Sequence, residues 1–119
     1  MVKGAKSDKA AEMVARHVAN SNLVKTMIAG GDPNWGRVAS SIGASGVDIK
    51  SDKVSIYFGK ALVMKSGAGT KCSKKRLKGI FNKKEIEITI DLHVGSSFCK
   101  MWTCDLTDEY VRINSEYST

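Results

Sequence analysis

The 119-residue sequence has no long apolar run, only one proline and no repeated or low-complexity segment. No apolar stretch approaches the length of a membrane-spanning helix, and the N-terminus does not pair positive charge with an apolar run, so neither a membrane protein nor a signal peptide is expected. Because no segment has the composition of a linker, we expect a single domain over residues 1–119.

Cysteine is also scarce, with three residues in the chain. Cys99 and Cys104 fall in one predicted strand at odd separation, so their side chains would face opposite sides and could not form a disulfide. Together with Cys72 they make no CxxC pair and no regular ligand spacing. We therefore expect buried or semi-buried free thiols, no metal site and a cytoplasmic protein.

Acidic residues are outnumbered, with 12 Asp and Glu against 19 Lys and Arg and a net charge of +7. Much of the excess lies in residues 71–78 and at Lys83 and Lys84. Such a segment could attract nucleic acid or another anionic surface. No aromatic residue is interleaved to stack on a base, because Phe81 falls on an apolar stripe with Leu77 and Ile80. A solvated helix face is the favoured interpretation, and nucleic-acid binding is not expected.

Capping residues predict three helices in the first third of the chain. Ser7 would cap a helix over residues 8–20, and Ser21 would cap a second helix that stops at Gly30 and Gly31. Asp32 would cap a third helix, with Pro33 in its first turn and its end near Ala44.

Period-two alternation predicts strands in the remainder. They cover residues 54–58, 61–64, 86–94 and about 98–105, with a tight turn at Gly59, a basic helix near 72–82 and a short final helix after Thr107. Even spacing would put Phe98 and Trp102 in the core. The predicted fold class is α+β, a mainly antiparallel sheet with helices layered on one face.

Side chains capable of chemistry are present but poorly grouped. His17 and His93 have no convincing ligand spacing, and Glu85, Glu87 and Asp91 could hold a cation but more simply form a solvated face. No phosphate-binding loop or nucleophile elbow occurs. Asp32 and Arg37 could contact a substrate, although a cap and a structural pairing are favoured for them.

Several ordered segments are more specific than these patterns. They are Asn20–Thr26 (NSNLVKT), Gly30–Arg37 (GGDPNWGR), Lys53–Gly59 (KVSIYFG), Trp102–Thr107 (WTCDLT) and Tyr110–Thr119 (YVRINSEYST). In that order they resemble the ornithine acetyltransferase family, the glutamate N-acetyltransferases of arginine biosynthesis, which are often bifunctional with N-acetylglutamate synthase activity. The resemblance runs over nearly the whole chain.

The resemblance implies a ping-pong transfer of acetyl from N-acetylornithine to glutamate through an acetyl-threonine, with no metal or organic cofactor. The family's nucleophilic threonine becomes N-terminal by self-cleavage, and its segment lies upstream of anything matched here. The chain is thus expected to be a C-terminal portion that holds no catalytic residue, is inactive alone, and needs the missing N-terminal half as partner within an oligomer. The alternative is a non-catalytic basic module that binds nucleic acid or a protein.

The resemblance also assigns two substrate-binding residues. An asparagine near the end of the final helix and the last residues of the chain hold the amino-acid part of the substrate in the family, and they correspond here to Asn114 and Thr119. An amide suits this role because it offers both a donor and an acceptor to an α-amino acid.

Overall fold

The computed structural model describes residues 1–104. Its elements are, in chain order, β1 (Val2–Ala5), α1 (Asp8–Asn20), α2 (Asn22–Gly30), α3 (Trp35–Gly43), a 3₁₀ turn (Ser51–Lys53), β2 (Ser55–Phe58), β3 (Ala61–Lys65), β4 (Ala68–Gly69), α4 (Lys74–Phe81), β5 (Ile88–Asp91) and β6 (Ser97–Cys99). No helix in this part of the chain is both long and apolar enough to cross a membrane.

The six strands form one sheet in the order β4-β3-β2-β5-β1-β6. Neighbouring strands are antiparallel except β1 and β5, which run parallel with Val2 opposite Ile90. The predicted α+β class with a mainly antiparallel sheet is therefore confirmed. Strand β1 was not predicted, because its four residues include Gly4 in the left-handed region (φ 69°) and show no alternation.

The helices cover one face of the sheet. Register places Ile56 opposite Ile90 and Phe58 opposite Ile88, so these four side chains share that face. Phe81 of α4 meets Phe58 edge-on, with ring centroids 5.1 Å apart. Helix α1 packs against β1 and β6, and against α2 and α3. The core lies between this helical layer and the sheet.

The first two helices begin where their caps predict. The Ser7 Oγ accepts a hydrogen bond from the Ala10 N–H at 3.1 Å, and the Ser21 Oγ accepts one from the Val24 N–H at 3.3 Å. Helix α2 ends with Gly31 in the left-handed conformation (φ 66°), as a glycine stop predicts.

The predicted start of the third helix is wrong by two residues. Helix α3 begins at Trp35, and Asn34 is its N-cap without a side-chain hydrogen bond. Asp32 is not a cap: its N–H donates to the Met27 carbonyl at 3.1 Å, and its carbonyl accepts from the Asn34 N–H at 2.7 Å. The two glycines and Asp32 instead form the C-terminal end of α2, so the next helix begins later in the chain.

Two predicted strands are shorter than their alternation indicated. Strand β5 ends at Asp91 because His93 adopts a left-handed backbone (φ 53°), held by the Asp91 Oδ1 that accepts the His93 N–H at 3.0 Å. Strand β6 ends at Cys99, so Trp102 lies beyond the alternating segment.

Placement of the two aromatic residues in the core is also wrong. Phe98 is 63% exposed and Trp102 is 73% exposed. Within β6, Phe98 points away from Cys99, whose side is the helix-covered face that Val2 shares. Phe98 therefore lies on the sheet face without helices.

Substitution of the buried phenylalanine will separate core packing from surface effects. Phe58→Ala should lower the free energy of unfolding by about 3–5 kcal/mol, because it removes a fully buried ring and its contact with Phe81. Phe98→Ala is the matched control at an exposed position and should change it by less than about 0.5 kcal/mol. Urea midpoints measure both, and equal midpoints for the two variants would contradict the packing described here.

A second pair of variants tests the helix starts. Ser7→Ala should destabilise the fold by about 1 kcal/mol through loss of a real N-cap. Asp32→Ala should cost less than about 0.5 kcal/mol, because only its backbone makes the bonds at the end of α2. Chemical denaturation compares the two, and a larger loss for Asp32→Ala would restore the capping role to its carboxylate.

Candidate functional site

The turn between α2 and α3 is fixed by Arg37. The Arg37 Nη1 donates to the Leu23 carbonyl at 3.0 Å and to the Thr26 Oγ1 at 3.2 Å. Thr26 in turn donates to the Asn22 carbonyl at 2.9 Å. Both acceptors of the guanidinium lie on α2, so the structural interpretation of Arg37 agrees with the geometry. Asp32 is exposed and lies outside this contact set.

Trp35 joins the same turn to the far edge of the sheet. Its side chain is half-buried against the core. A Cβ added at Gly69 would lie 2.9 Å from the Trp35 Cζ2, so β4 approaches the indole closely enough to require glycine. The GGDPNWGR segment thus positions α3 through Arg37 on one side and Trp35 on the other.

Polar side chains at the C-terminal end of β5 and just beyond it make structural contacts. The His93 Nδ1 lies 2.7 Å from the Lys53 carbonyl, and its Nε2 lies 3.2 Å from the Asp91 Oδ2. Lys3 approaches the same carboxylate oxygen at 3.9 Å. This cluster ties the 3₁₀ turn to β5 and β1 on the face without helices.

The remaining candidate metal ligands stay apart. His17, Glu85 and Glu87 are exposed. Within residues 1–104 no group of three His, Cys, Asp or Glu side chains could hold a metal ion. Cys72, Cys99 and Cys104 are free thiols, as predicted, but the predicted burial is wrong for Cys104, which is exposed.

The basic segment forms an amphipathic helix. In α4, Phe81 is buried while Leu77 and Ile80 pack partly against the core, so the predicted apolar stripe is confirmed. The cations of this segment are exposed: Lys71, Lys74, Lys75, Arg76, Lys78, Lys83 and Lys84. None of them makes an ion pair with an acidic residue of the described part of the chain. A solvated face fits this arrangement.

A large groove opens on the helix-covered side of the sheet. Its volume is about 640 Å³. The floor is apolar and consists of Val2, Ile88 and Ile90. Helices α1 and α2 form one wall, and Phe81 with residues 83–87 forms the other.

The rim of the groove is the segment 100–104. The Lys100 Nζ lies over the exposed indole of Trp102, 5.2 Å from the ring centroid. The Thr103 Oγ1 donates to the Ala19 carbonyl at 2.9 Å and fastens the segment to α1. Sequence reasoning missed the groove because its lining comes from β1, α1, α2, α4 and β5, which together span most of the described chain. The local signal was an aromatic residue just past a strand end.

The two predicted substrate-binding residues, Asn114 and Thr119, lie outside the described residues, as does the predicted final helix after Thr107. Their roles stay predictions. The described part therefore consists of the helix-covered sheet and the groove. The assignment of Asn114 and Thr119 to substrate binding depends on the family resemblance.

Comparison with known proteins relates the chain to longer enzymes. The ArgJ family pattern matches residues 1–119. The Arginine biosynthesis bifunctional protein ArgJ of Oceanobacillus iheyensis is 42% identical over 119 residues, which are 100% of this chain and 29% of that protein. The Glutamate N-acetyltransferase of Methanopyrus kandleri is 40% identical over 121 residues, covering 99% of this chain and 31% of the relative.

A solved structure extends the likeness to three dimensions. The crystal structure of Arginine biosynthesis bifunctional protein argJ from Bacillus halodurans matches with a TM-score of 0.89 and 38% identity, over 98% of this chain and 55% of that one. The chain thus spans about 30% of the length of these curated relatives. A pattern match over the full length, joined to the same fold, shows that this chain belongs to the ArgJ family.

Proposed function

We propose that this chain is the C-terminal part of a glutamate N-acetyltransferase that moves acetyl from N-acetylornithine to glutamate, and from acetyl-CoA to glutamate in bifunctional members. The main support is that the family pattern matches all 119 residues, while the chain spans only 29% of the length of a curated relative. A role in arginine biosynthesis follows from membership. The specific reaction, a cytoplasmic location and the need for the remaining part of the enzyme are our proposals.

We propose that the nucleophile of the reaction lies outside this chain. An N-terminal threonine acts because its own amine can assist its hydroxyl, and an internal threonine has no such amine. The hydroxyl groups of three internal threonines donate hydrogen bonds to main-chain carbonyls. Thr26 donates to Asn22 at 2.9 Å, Thr70 to Leu62 at 2.6 Å, and Thr103 to Ala19 at 2.9 Å. These bonds support a structural role for each.

Asn114 and Thr119 are proposed as the residues that this chain contributes to substrate binding. The amide of Asn114 would satisfy the α-amino and α-carboxylate groups, and Thr119 would add a hydroxyl or a terminal carboxylate. The support is their place in the family-like segment Tyr110–Thr119. No metal or organic cofactor is required by this reaction as proposed.

The isolated chain should not catalyse acetyl transfer. Incubated with N-acetylornithine and glutamate, it should release ornithine only at the uncatalysed rate, because the proposed threonine nucleophile is in the missing part. The Oceanobacillus iheyensis relative assayed in parallel is the positive control. Turnover by the chain alone would show that its own residues are sufficient.

In an enzyme completed with the missing part, Asn114→Ala should lower kcat/KM for N-acetylornithine by about 10- to 100-fold, because each lost hydrogen bond to a charged ligand costs about 1.5–3 kcal/mol. Deletion of Thr119 should act in the same direction. Ser118→Ala is the matched control beside the proposed contact and should retain the parent rate. Parent values for Asn114→Ala and the Thr119 deletion would remove both residues from the proposed site.

A further inference from the structure

We propose that the outer face of α4, with the residues that flank it, binds the phosphate backbone of a nucleic acid duplex without reading its sequence. Seven exposed cations make up this basic face: Lys71, Lys74, Lys75, Arg76, Lys78, Lys83 and Lys84. In the free chain the basic face is solvated. The inference is independent of the proposed acetyl transfer, because none of the seven residues has a role in that reaction.

The entire net charge of the chain lies in this segment. Residues 71–84 contain the seven cations and no Asp or Glu, whereas the rest of the chain contains 12 cations and 12 acids. None of the ion pairs within residues 1–104 uses a cation of the basic face. Like charges concentrated in this way produce a strongly positive potential, which attracts a polyanion.

The cations do not stabilise the helix that carries them. Lys74, Lys75 and Arg76 occupy the first turn of α4, which holds no acidic residue. Cations at a helix N-terminus oppose the helix dipole. Lys74 and Lys78 also place two like charges at i and i+4, a spacing at which they destabilise a helix. A bound polyanion would offset both effects, so the arrangement fits binding better than a structural role.

The apolar side of α4 is already used by the core. Phe81 is buried and meets Phe58, while Leu77 and Ile80 pack partly against the core. A helix that lies in a lipid interface needs its apolar face for the membrane. Protein interfaces depend on aromatic and apolar anchors, and exposed ion pairs add little to them. The basic face offers no such anchor, so a partner held by charge alone is favoured over lipid or protein.

A nucleic acid duplex is such a partner. It carries one charge per about 1.7 Å of its axis, and a helix of eight residues such as α4 is about 12 Å long. The expectation against nucleic acid rested on the missing stacking residue, and Phe81 is indeed buried and cannot stack on a base. Contacts to phosphates need no stacking and carry no sequence information. The absence therefore argues against base recognition and leaves binding through phosphates.

Fluorescence anisotropy of a labelled DNA duplex of about 24 base pairs, titrated with the full 119-residue chain, tests the proposal. Between about 50 and 200 mM salt, the logarithm of the binding constant should fall against the logarithm of the salt concentration with a slope of about −3 or steeper, because four or more phosphate contacts release counterions. Two unrelated sequences should bind equally. A shallower slope, or affinities that differ by more than about tenfold between the sequences, would overturn the proposal.

Two variants of Gly79 locate the contact. Gly79 is an exposed residue of α4, and a Cβ added there would lie in open space with nothing packed within 4 Å. Gly79→Glu places a carboxylate among the cations and should weaken duplex binding by about fivefold or more. Gly79→Ala adds the Cβ without the charge and should retain the parent affinity. Equal affinities for the two variants would place the contact elsewhere.

Neutralisation of single lysines separates the basic face from the overall charge of the chain. Lys75→Gln and Lys78→Gln should each reduce the magnitude of the salt slope by about 1, since each removes a phosphate contact. Lys9→Gln makes the same change in net charge on α1 and should leave the slope unchanged. Equal reductions in all three variants would mean that only net charge matters, and would overturn the assigned surface.

The other classes of partner are outcomes of a competition assay. Phosphatidylserine–phosphatidylcholine vesicles and polyglutamate, each at the same concentration of negative charge as unlabelled duplex, should displace much less labelled duplex than the unlabelled duplex does. Equal displacement by the vesicles would assign the basic face to an anionic membrane. Equal displacement by polyglutamate would assign it to an acidic protein, and either result would overturn nucleic acid as the partner.

Discussion

The parallel pairing of β1 with β5 is the contact on which the rest of the structure depends. Strand β1 lies between β5 and β6, so within residues 1–104 it is the strand that joins β6 to the sheet. The Lys3 and Gly4 carbonyls of β1 accept hydrogen bonds from the Leu92 and Val94 N–H groups at 3.0 and 2.8 Å, and the carbonyl of Met1, just before the strand, accepts one from the Ile90 N–H at 2.8 Å. Helix α1 starts three residues later, after the Ser7 cap, and is therefore laid across β1 and β6. The packing of α2 and α3 on α1 follows from that placement.

Features set by neighbouring residues were predictable from the sequence. Ser7 and Ser21 cap their helices, Gly31 ends α2, and Gly59 turns β2 into β3, because each depends only on groups a few residues away. The apolar stripe of α4 was equally local, since Leu77, Ile80 and Phe81 lie within two turns of one helix.

Features set by distant partners were not predictable. Strand β1 exists because β5 and β6 bind it on either side, although its own four residues lack a strand pattern. Asp32 has a side chain suited to an N-cap, but its backbone N–H and carbonyl make the hydrogen bonds that follow the end of α2, and α3 begins only later. Trp102 was placed in the core by its even spacing from Phe98, which has meaning only where a strand continues, and Phe98 itself lies on the sheet face without helices. For the candidate site, residue patterns supplied the free thiols and the structural use of Arg37, and only family resemblance singled out Asn114 and Thr119.

The sheet register has a consequence for the order in which the chain can fold. The Met1 nitrogen is bonded to the Ile88 carbonyl across 87 positions of sequence. Strand β1 can therefore pair only after β5, about 90 residues later in the chain, has been synthesised. Contacts of such long sequence separation slow folding because a large loop has to close. Helices α1 to α3 can form while synthesis continues, but the sheet beneath them cannot be completed until β5 and β6 have left the ribosome. Until then the apolar side of α1, with Ala11, Val14 and Val18, has no sheet to rest on, and this interval is when the nascent chain is most exposed to aggregation.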